Sequence, residues 1–477
     1  MSCPFCSGEK TPSPGASSTT TLPFASSAAG YESSGVLAGG LRTVPSEAKR
    51  DWWQGHSTSR SSCTQLNGQL SYVLQQPTGC FVNKKRELMI TSTSVVDDPT
   101  RTQQFGFSFD GGGGAVPSQG VWTFGRLMRD LAPTPADAPK LVEQLFQTWL
   151  TDQTVNGFTI PARADGIQRV VLGNFPRLPD GSLDLDRAPM RLQAIVNRID
   201  LRNLDQGNAG EGRFVFGVLG PGNNVEQFTV IFEYKLPAQT EADVQEWANL
   251  WHALGSHPFP SEEYNAALEA ITLRFSGRNA APGRVNGSAL SQLRTNEISL
   301  FPRWELREFV LSPTTGFLTP ATIKLTPDLG FNGSPKLADF VLQNEPAILA
   351  EKHTVPEQFE GAPFLAGSVF NDLIVWDSPS IDVSHSDARF QLSKNTCNGC
   401  HGPETNTTFL QITPRFPGQE ATLSPFLTGT TAIDQFTGQP RSLNDLARRN
   451  GDLRGLVCGP TGGAPAPSLK KGLQRAD

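Results

Sequence analysis

Arg213-Phe-Val-Phe-Gly-Val-Leu219, then the turn Gly220-Pro221-Gly222-Asn223, then Phe228-Thr-Val-Ile-Phe-Glu-Tyr234, is the stretch whose reading decides the fold. Two apolar runs rich in Phe and Val, joined by a Gly/Pro/Asn turn, read as a β-hairpin. Both arms are apolar on both faces, which points to a central sheet covered on each side rather than one facing water. Upstream, residues 191–201 read as another strand, and downstream residues 304–311 and 319–325 read as two more. Helical patterns lie between them. One is expected to start between Thr134 and Pro139 and to bury Leu141, Val142, Leu145 and Trp149. A second, over residues 240–254, carries Val244, Trp247, Ala248, Trp251 and Leu254 at 3.6-residue spacing, with Gly255 where a C-terminal cap belongs. A third begins at Ser261 with Glu262 and Glu263 in its first turn, and a fourth opens at Ser334-Pro335 and is interrupted at Pro346. The order does not repeat as βαβ, so the expected class is α+β: an irregular central mixed sheet with flanking helices, plus a small C-terminal loop-rich and helical segment.

Length and charge narrow the function classes. The chain has 477 residues, 40 basic and 46 acidic, for a net charge of −6. With no Lys/Arg-rich run, nucleic acid and anionic membrane surfaces are poor partners. No stretch reaches the ~18–20 consecutive apolar residues of a membrane-spanning helix. The glycine run Gly111 to Gly114 lacks the G-K-[ST] ending of a phosphate loop, and no G-x-S-x-G, H-E-x-x-H or dinucleotide fingerprint is present. Composition shifts divide the chain into a Ser/Thr/Gly/Pro-rich leader (1–50), a small N-terminal region (51–120), an α+β domain (121–379), a C-terminal segment (380–458) and a Gly/Pro/Ala/Lys-rich tail (459–477).

The chemistry sits in the C-terminal segment, at Cys397-Asn-Gly-Cys400-His401. Only 7 cysteines and 6 histidines occur in the chain, and chance would place such a C-x-x-C-H in about 0.001 chains of this composition. On one helical turn the two thiols share a face and the imidazole follows beside them. Thiols so placed can add to the two vinyl groups of one porphyrin while His401 reaches the iron, the arrangement of one covalent haem c. A disulfide between Cys397 and Cys400, or reduced thiols on a surface loop, are the bland alternatives.

The segment Cys397-Asn-Gly-Cys-His-Gly402 resembles the attachment sites of c-type cytochromes, strictly over six residues and loosely over the last eighty. The resemblance implies that Cys397 and Cys400 are the thioether points, that His401 is the proximal iron ligand, and that a carbonyl near Thr413 or Pro414 holds the other ring nitrogen. The chain departs from the family in two ways. It has no methionine after the motif, its four being Met1, Met89, Met128 and Met190, and Ser393 stands where a phenylalanine is usual. The sixth iron position is therefore assigned to a second histidine, with His385 the first candidate and His353 the next, to a ligand from the larger domain, or to nothing. More broadly, Gln153-Thr-Val-Asn-Gly-Phe-Thr-Ile-Pro-Ala162, Ala194-Ile-Val-Asn-Arg-Ile-Asp-Leu-Arg202, Gly210-Glu-Gly-Arg-Phe-Val-Phe216, Leu293-Arg-Thr-Asn-Glu-Ile298 and Asn395-Thr-Cys-Asn-Gly-Cys-His401 resemble segments of a group of exported bacterial proteins and lipoproteins. That likeness implies export and no particular activity; it is the haem motif that points to a periplasmic or cell-surface electron carrier passing single electrons to a redox partner protein. A haem-free binding or surface-structural protein, or a haem enzyme with an open distal site, are the other classes. No apolar signal region is visible in residues 1–10, so the export signal or a lipid anchor is expected upstream of this chain.

The remaining cysteines and charges have quieter readings. Cys63 and Cys80 end a short polar segment and are a candidate local disulfide, Cys3 and Cys6 sit in the leader as one half of a remote zinc option with Cys397 and Cys400, and Cys458 is left over or reaches an N-terminal cysteine. Arg198, Asp200 and Arg202 are expected to form internal salt bridges rather than an anion clamp. His252 and His257 do not share an i, i+4 face, and His252 reads as a packed histidine rather than a ligand. Glu211 and Arg213 flank Gly212 as a polar pair of undefined role.

Overall fold

The hairpin forms as its sequence dictates and grows into the centre of a large sheet. The computed structural model describes residues 80–105, 114–371 and 375–459; the leader, Cys3, Cys6, Cys63 and the tail from residue 460 lie outside the described residues. The sheet strands are β1 (Met89–Ile90), β2 (Met190–Arg198), β3 (Asn208–Leu219), β4 (Val225–Pro237), β5 (Leu290–Glu297), β6 (Trp304–Leu311), β7 (Leu318–Ala321) and β8 (Val369–Asn371). Their order is β1-β2-β3-β4-β5-β6-β8, with β7 paired to a different stretch of β6. Every pairing is antiparallel, which corrects the expected mixed sheet. The reason is topological. Short connections link β2 to β3, β3 to β4 and β5 to β6, while the long ones, β1 to β2, β4 to β5 and β7 to β8, contain helices that bring the chain back to the sheet.

Alternation then decides what each face touches. In β3 and β4, Phe214, Phe216, Phe232 and Tyr234 point to one side, where they pack with helices α1 (Phe124–Leu131), α2 (Ala138–Gln147), α3 (Glu241–Ala253) and α4 (Glu262–Ser276) in the main core. The helix ends follow the expected chemistry. Thr240 and Asp243 form a capping box at α3, and the Ser261 hydroxyl accepts from the Tyr264 N–H at α4. In α2, Leu141, Val142 and Leu145 are buried as expected, and Trp149 is buried just past its end. Helix α5 (Pro335–Leu349) differs from expectation, because it runs through Pro346 instead of stopping there. Proline removes the amide that would serve the carbonyl of Leu342, but Leu342 is on the exposed side of the helix, where water can replace it.

The opposite sheet face is covered by part of the chain after residue 380, including α7 (Cys397–Cys400), while α6 (Ser386–Asn395) packs on α5 and α8 (Asp445–Val457) packs beside α3. Met89, Ala194, Val196, Val215 and Ile231 of the sheet meet Cys400, Ile412, Phe426, Leu427 and Leu446 in one apolar cluster, while Trp304, Leu306 and Val369 meet Cys397 in another. From Gln76 onward the described chain is one compact unit, so the C-terminal segment is a layer of this fold. Cys80 is bonded to Cys458, 378 residues later, and not to Cys63. Long-range packing explains the correction: α8 lies beside the first described residues, and the Asn450 side chain donates to the Val82 carbonyl (2.8 Å). Among the described residues no helix is long and apolar enough to cross a membrane.

Candidate functional site

The motif occupies one short turn of helix fixed from several directions. Thr396 caps it, its hydroxyl accepting from the Gly399 N–H (3.1 Å) and donating to the Ser393 carbonyl (2.7 Å). Gly399 is required by closeness rather than by dihedral angle: a Cβ there would lie 1.9 Å from the Ser393 carbonyl oxygen. Asn398 accepts from the Trp376 indole (2.7 Å), and Thr405 and Gln411 both donate to the Cys400 carbonyl, at 2.6 and 2.8 Å. Beneath these, Arg389 and Glu404 form a buried pair at 2.8 Å that carries the turn on α6. Such a turn is held in place by polar contacts that fold with the whole C-terminal layer.

Cys397, Cys400 and His401 are all buried, at 4, 3 and 0% exposure. The two cysteines are thiols and are not joined to each other, so the local disulfide is not the arrangement found. His401 stacks on Trp304 of β6, ring centroids 5.2 Å apart, and its Nδ1 lies 2.6 Å from the Phe409 carbonyl. A carbonyl can only accept, so the proton is on Nδ1 and Nε2 is the lone-pair nitrogen. The supporting carbonyl is that of Phe409, not one near Thr413 or Pro414. Burial pushes the Cys397 thiol up to about 11, against the opposing pull of Arg294 and a hydrogen bond with Thr326. A thiol so shifted is a poor nucleophile, and Cys397 does not have the character of a catalytic thiolate.

Near Cys397 the sheet face carries a ladder of buried charges. Glu211 accepts from Arg213 at 2.6 Å, Arg213 and Arg294 each meet Glu233 at 3.0 Å, and Arg294 also meets Glu308 at 3.0 Å. Lys324 stands at the end, 3.8 Å from Glu308 and donating to Gln292, which in turn donates to Glu233. Burial raises Glu233 despite its two arginines, whereas at Glu211 the same burial is outweighed by Arg213, which holds it below the usual carboxylate range. The two carboxylates thus titrate apart. Burial also lowers Lys324. Beyond Glu211 and Arg213, sequence reasoning missed this ladder. Its signal was the period-two run Gln292, Arg294, Asn296, facing Glu233 and Glu308 on neighbouring strands.

The other expected residues lie elsewhere. His385 pairs through Nδ1 with Glu345 at 2.9 Å on the protein surface, and this ion pair, not iron ligation, is the role its contact supports. His353 is buried at 3% exposure. Arg198 and Asp200 form a buried ion pair (3.0 Å) that Arg448 joins at 2.7 Å, and Arg202 meets Asp452, the internal bridges expected of them. A cleft of about 340 Å³ is lined by Met89, Ala421, Leu423 and Leu446, all members of the apolar cluster around Cys400, with Lys84, Lys85 and Glu420 also in its lining. The chain matches no family model, no curated protein and no solved structure.

The donor set has the residue types a covalent haem uses, while all three side chains are buried, the two cysteines sit in different apolar clusters, and none of the three lines the cleft of about 340 Å³. Two thiols and a histidine with its lone pair on Nε2 are the groups such a cofactor needs. They also stay apart: among the described residues the trio that gathers three ligand atoms within 4.8 Å lies elsewhere, so Cys397, Cys400 and His401 do not converge on one small ion.

Proposed function

We propose that this chain is a c-type cytochrome-like protein carrying one covalent haem c, with Cys397 and Cys400 as the thioether points and His401 as the proximal ligand. The observation that carries the reading is the His401 Nδ1 contact with the Phe409 carbonyl beside two thiols on one turn. When bound, the group supplies one-electron Fe(II)/Fe(III) chemistry. The residues around it position and insulate: Phe409 keeps the Nδ1 proton in place, Trp304 supports the imidazole, and the cluster around Cys400 offers apolar lining. Met89 lies on β1, five strands away from the Trp304 strand on which His401 stacks, so it is not placed to be the sixth ligand. The Cys80–Cys458 bond supports an oxidising compartment, so the reading is of a periplasmic or cell-surface protein passing electrons to a redox partner.

One observation favours a haem-free binding or structural protein, namely the burial of all three motif residues with His401 stacked on Trp304. A single experiment separates the two. The full chain is produced with an export signal and haem maturation machinery, then run on a denaturing gel stained for haem peroxidase activity. Colour that survives denaturation in the wild type and vanishes in Cys397→Ala/Cys400→Ala is expected. Purified exported protein without Soret absorbance overturns the reading, as does equal staining of the double variant. The reduced spectrum of the wild type then distinguishes a bis-histidine iron from an open sixth position.

A further inference from the structure

A second cysteine–histidine cluster lies where the two ends of the described chain meet. The Cys80 sulfur is 3.6 Å from Nε2 of His252, in the last turn of α3, and Cys458 follows the end of α8. Among the described residues, Cys80, His252 and Cys458 are the group that brings three metal-ligand atoms within 4.8 Å of one another. Behind the imidazole, Nδ1 is 2.8 Å from the Glu87 carboxylate, whose side chain is fully buried. The other Glu87 oxygen accepts from the Asn83 N–H at 2.8 Å, which orients the carboxylate. Room for it depends on Gly255, where a Cβ would lie 2.4 Å from that same oxygen.

Nδ1 faces the Glu87 carboxylate, and Nε2 is the ring nitrogen that faces the Cys80 sulfur. Toward a disulfide a lone pair on Nε2 does little. Toward two thiolates it completes an S₂N ligand set, and a carboxylate on the far ring nitrogen is the partner that fixes a metal-binding histidine. We propose that Cys80, Cys458 and His252 form a redox-gated site for a soft divalent cation of the zinc type, closed as a disulfide when oxidised and ligating when reduced. The balance is simple. A dithiol reductant opens the S–S bond by exchange, giving two thiols here and a disulfide on the reductant; the cation then displaces both thiol protons. Zinc–sulfur bonds near 2.3 Å in tetrahedral geometry place the two sulfurs roughly 3.8 Å apart. The Cα atoms are 5.5 Å apart, so side-chain rotation suffices. Cys80 is exposed and the other two are half-buried, which leaves the fourth position to water. Thiolate and imidazole ligands select zinc-like ions over magnesium or calcium.

The test uses the full chain, reduced by a phosphine and titrated anaerobically with cobalt(II), then competed with zinc. Reduced wild type is expected to show a thiolate-to-cobalt charge-transfer band that His252→Ala loses by one equivalent, while the oxidised protein shows none. Glu87→Gln is expected to weaken binding about 10- to 100-fold. The Cys397→Ala/Cys400→Ala variant keeps the band, which separates this site from the haem motif. Equal binding by oxidised and reduced wild type, or an unchanged titration in His252→Ala, overturns the proposal. The oxidised-against-reduced comparison needs no variant, so a poorly folding mutant cannot rescue or sink it.

Discussion

Two cysteine pairs in this chain meet opposite fates, and the contrast separates what local spacing does from what folding does. Cys397 and Cys400 are three residues apart on one turn, buried, and remain thiols. Cys80 and Cys458 are 378 residues apart, near the surface, and bonded. Sequence proximity places the first pair on a shared helical turn but aims each side chain into a different apolar cluster, one with Trp304 and Leu306, the other with Val215 and Phe426. Distance in sequence does not keep the second pair apart, because α8 packs beside residues 82–88. A C-x-x-C is thus a weak disulfide signal when the fold claims both thiols for its interior.

The comparison breaks first at the charge ladder near Cys397. Arg294→Ala leaves Glu233 and Glu308 buried without their shared cation, and is expected to cost about 3–5 kcal/mol in urea-induced unfolding of the haem-free chain. A near-neutral result means that the ladder is hydrated and that the interior position of Cys397 is wrong. The second pair gives the next effect. Cys458→Ser is expected to cost about 2–5 kcal/mol under non-reducing conditions and almost nothing against wild type held in reductant. A loss that persists in reductant assigns the stability to packing of α8 rather than to the bond.

How far the sequence foretold this is uneven, for physical reasons. Period-two and period-3.6 patterns marked the hairpin, α3 and α4, because those elements bury a face that the main core needs. The motif was legible because its spacing is local and its residues are rare. What escaped needed partners distant in sequence. Nothing near Cys80 announces Cys458, and His252 looked like a packed histidine because Glu87 and Cys80 come from a segment about 170 residues upstream. The all-antiparallel order was hidden too, since it depends on where intervening helices return the chain. The ladder was unread because each strand shows only one or two of its charges.

Thiol chemistry sharpens the contrast further. With the Cys397 thiol at about 11, its thiolate fraction at about pH 8 is roughly 0.001, against roughly 0.2 for an ordinary cysteine, so alkylation is expected to be at least about two hundredfold slower than for a free thiol. Mass spectrometry of haem-free protein, reduced and then pulsed with iodoacetamide, reads Cys397 and Cys458 in one sample. Equal labelling of the two refutes the assigned environments.

The smallest effect concerns the two histidines of the C-terminal layer. His401 shares its Nδ1 proton with a neutral carbonyl, whereas His385 faces the Glu345 carboxylate at the surface. The Glu345 hydrogen bond raises His385 above its ordinary value of 6.5. Because the folded value is the higher one, the stabilisation is fully present below the unfolded pKa and is lost as pH rises through the folded pKa. Glu345→Gln should therefore lower Tm relative to wild type at about pH 6, with the gap closing toward about pH 8.5 as the imidazole goes neutral. A gap that stays constant across that window attributes the contact to packing. One that widens with pH contradicts the pairing of His385 with Glu345, and reopens the search for what that histidine serves.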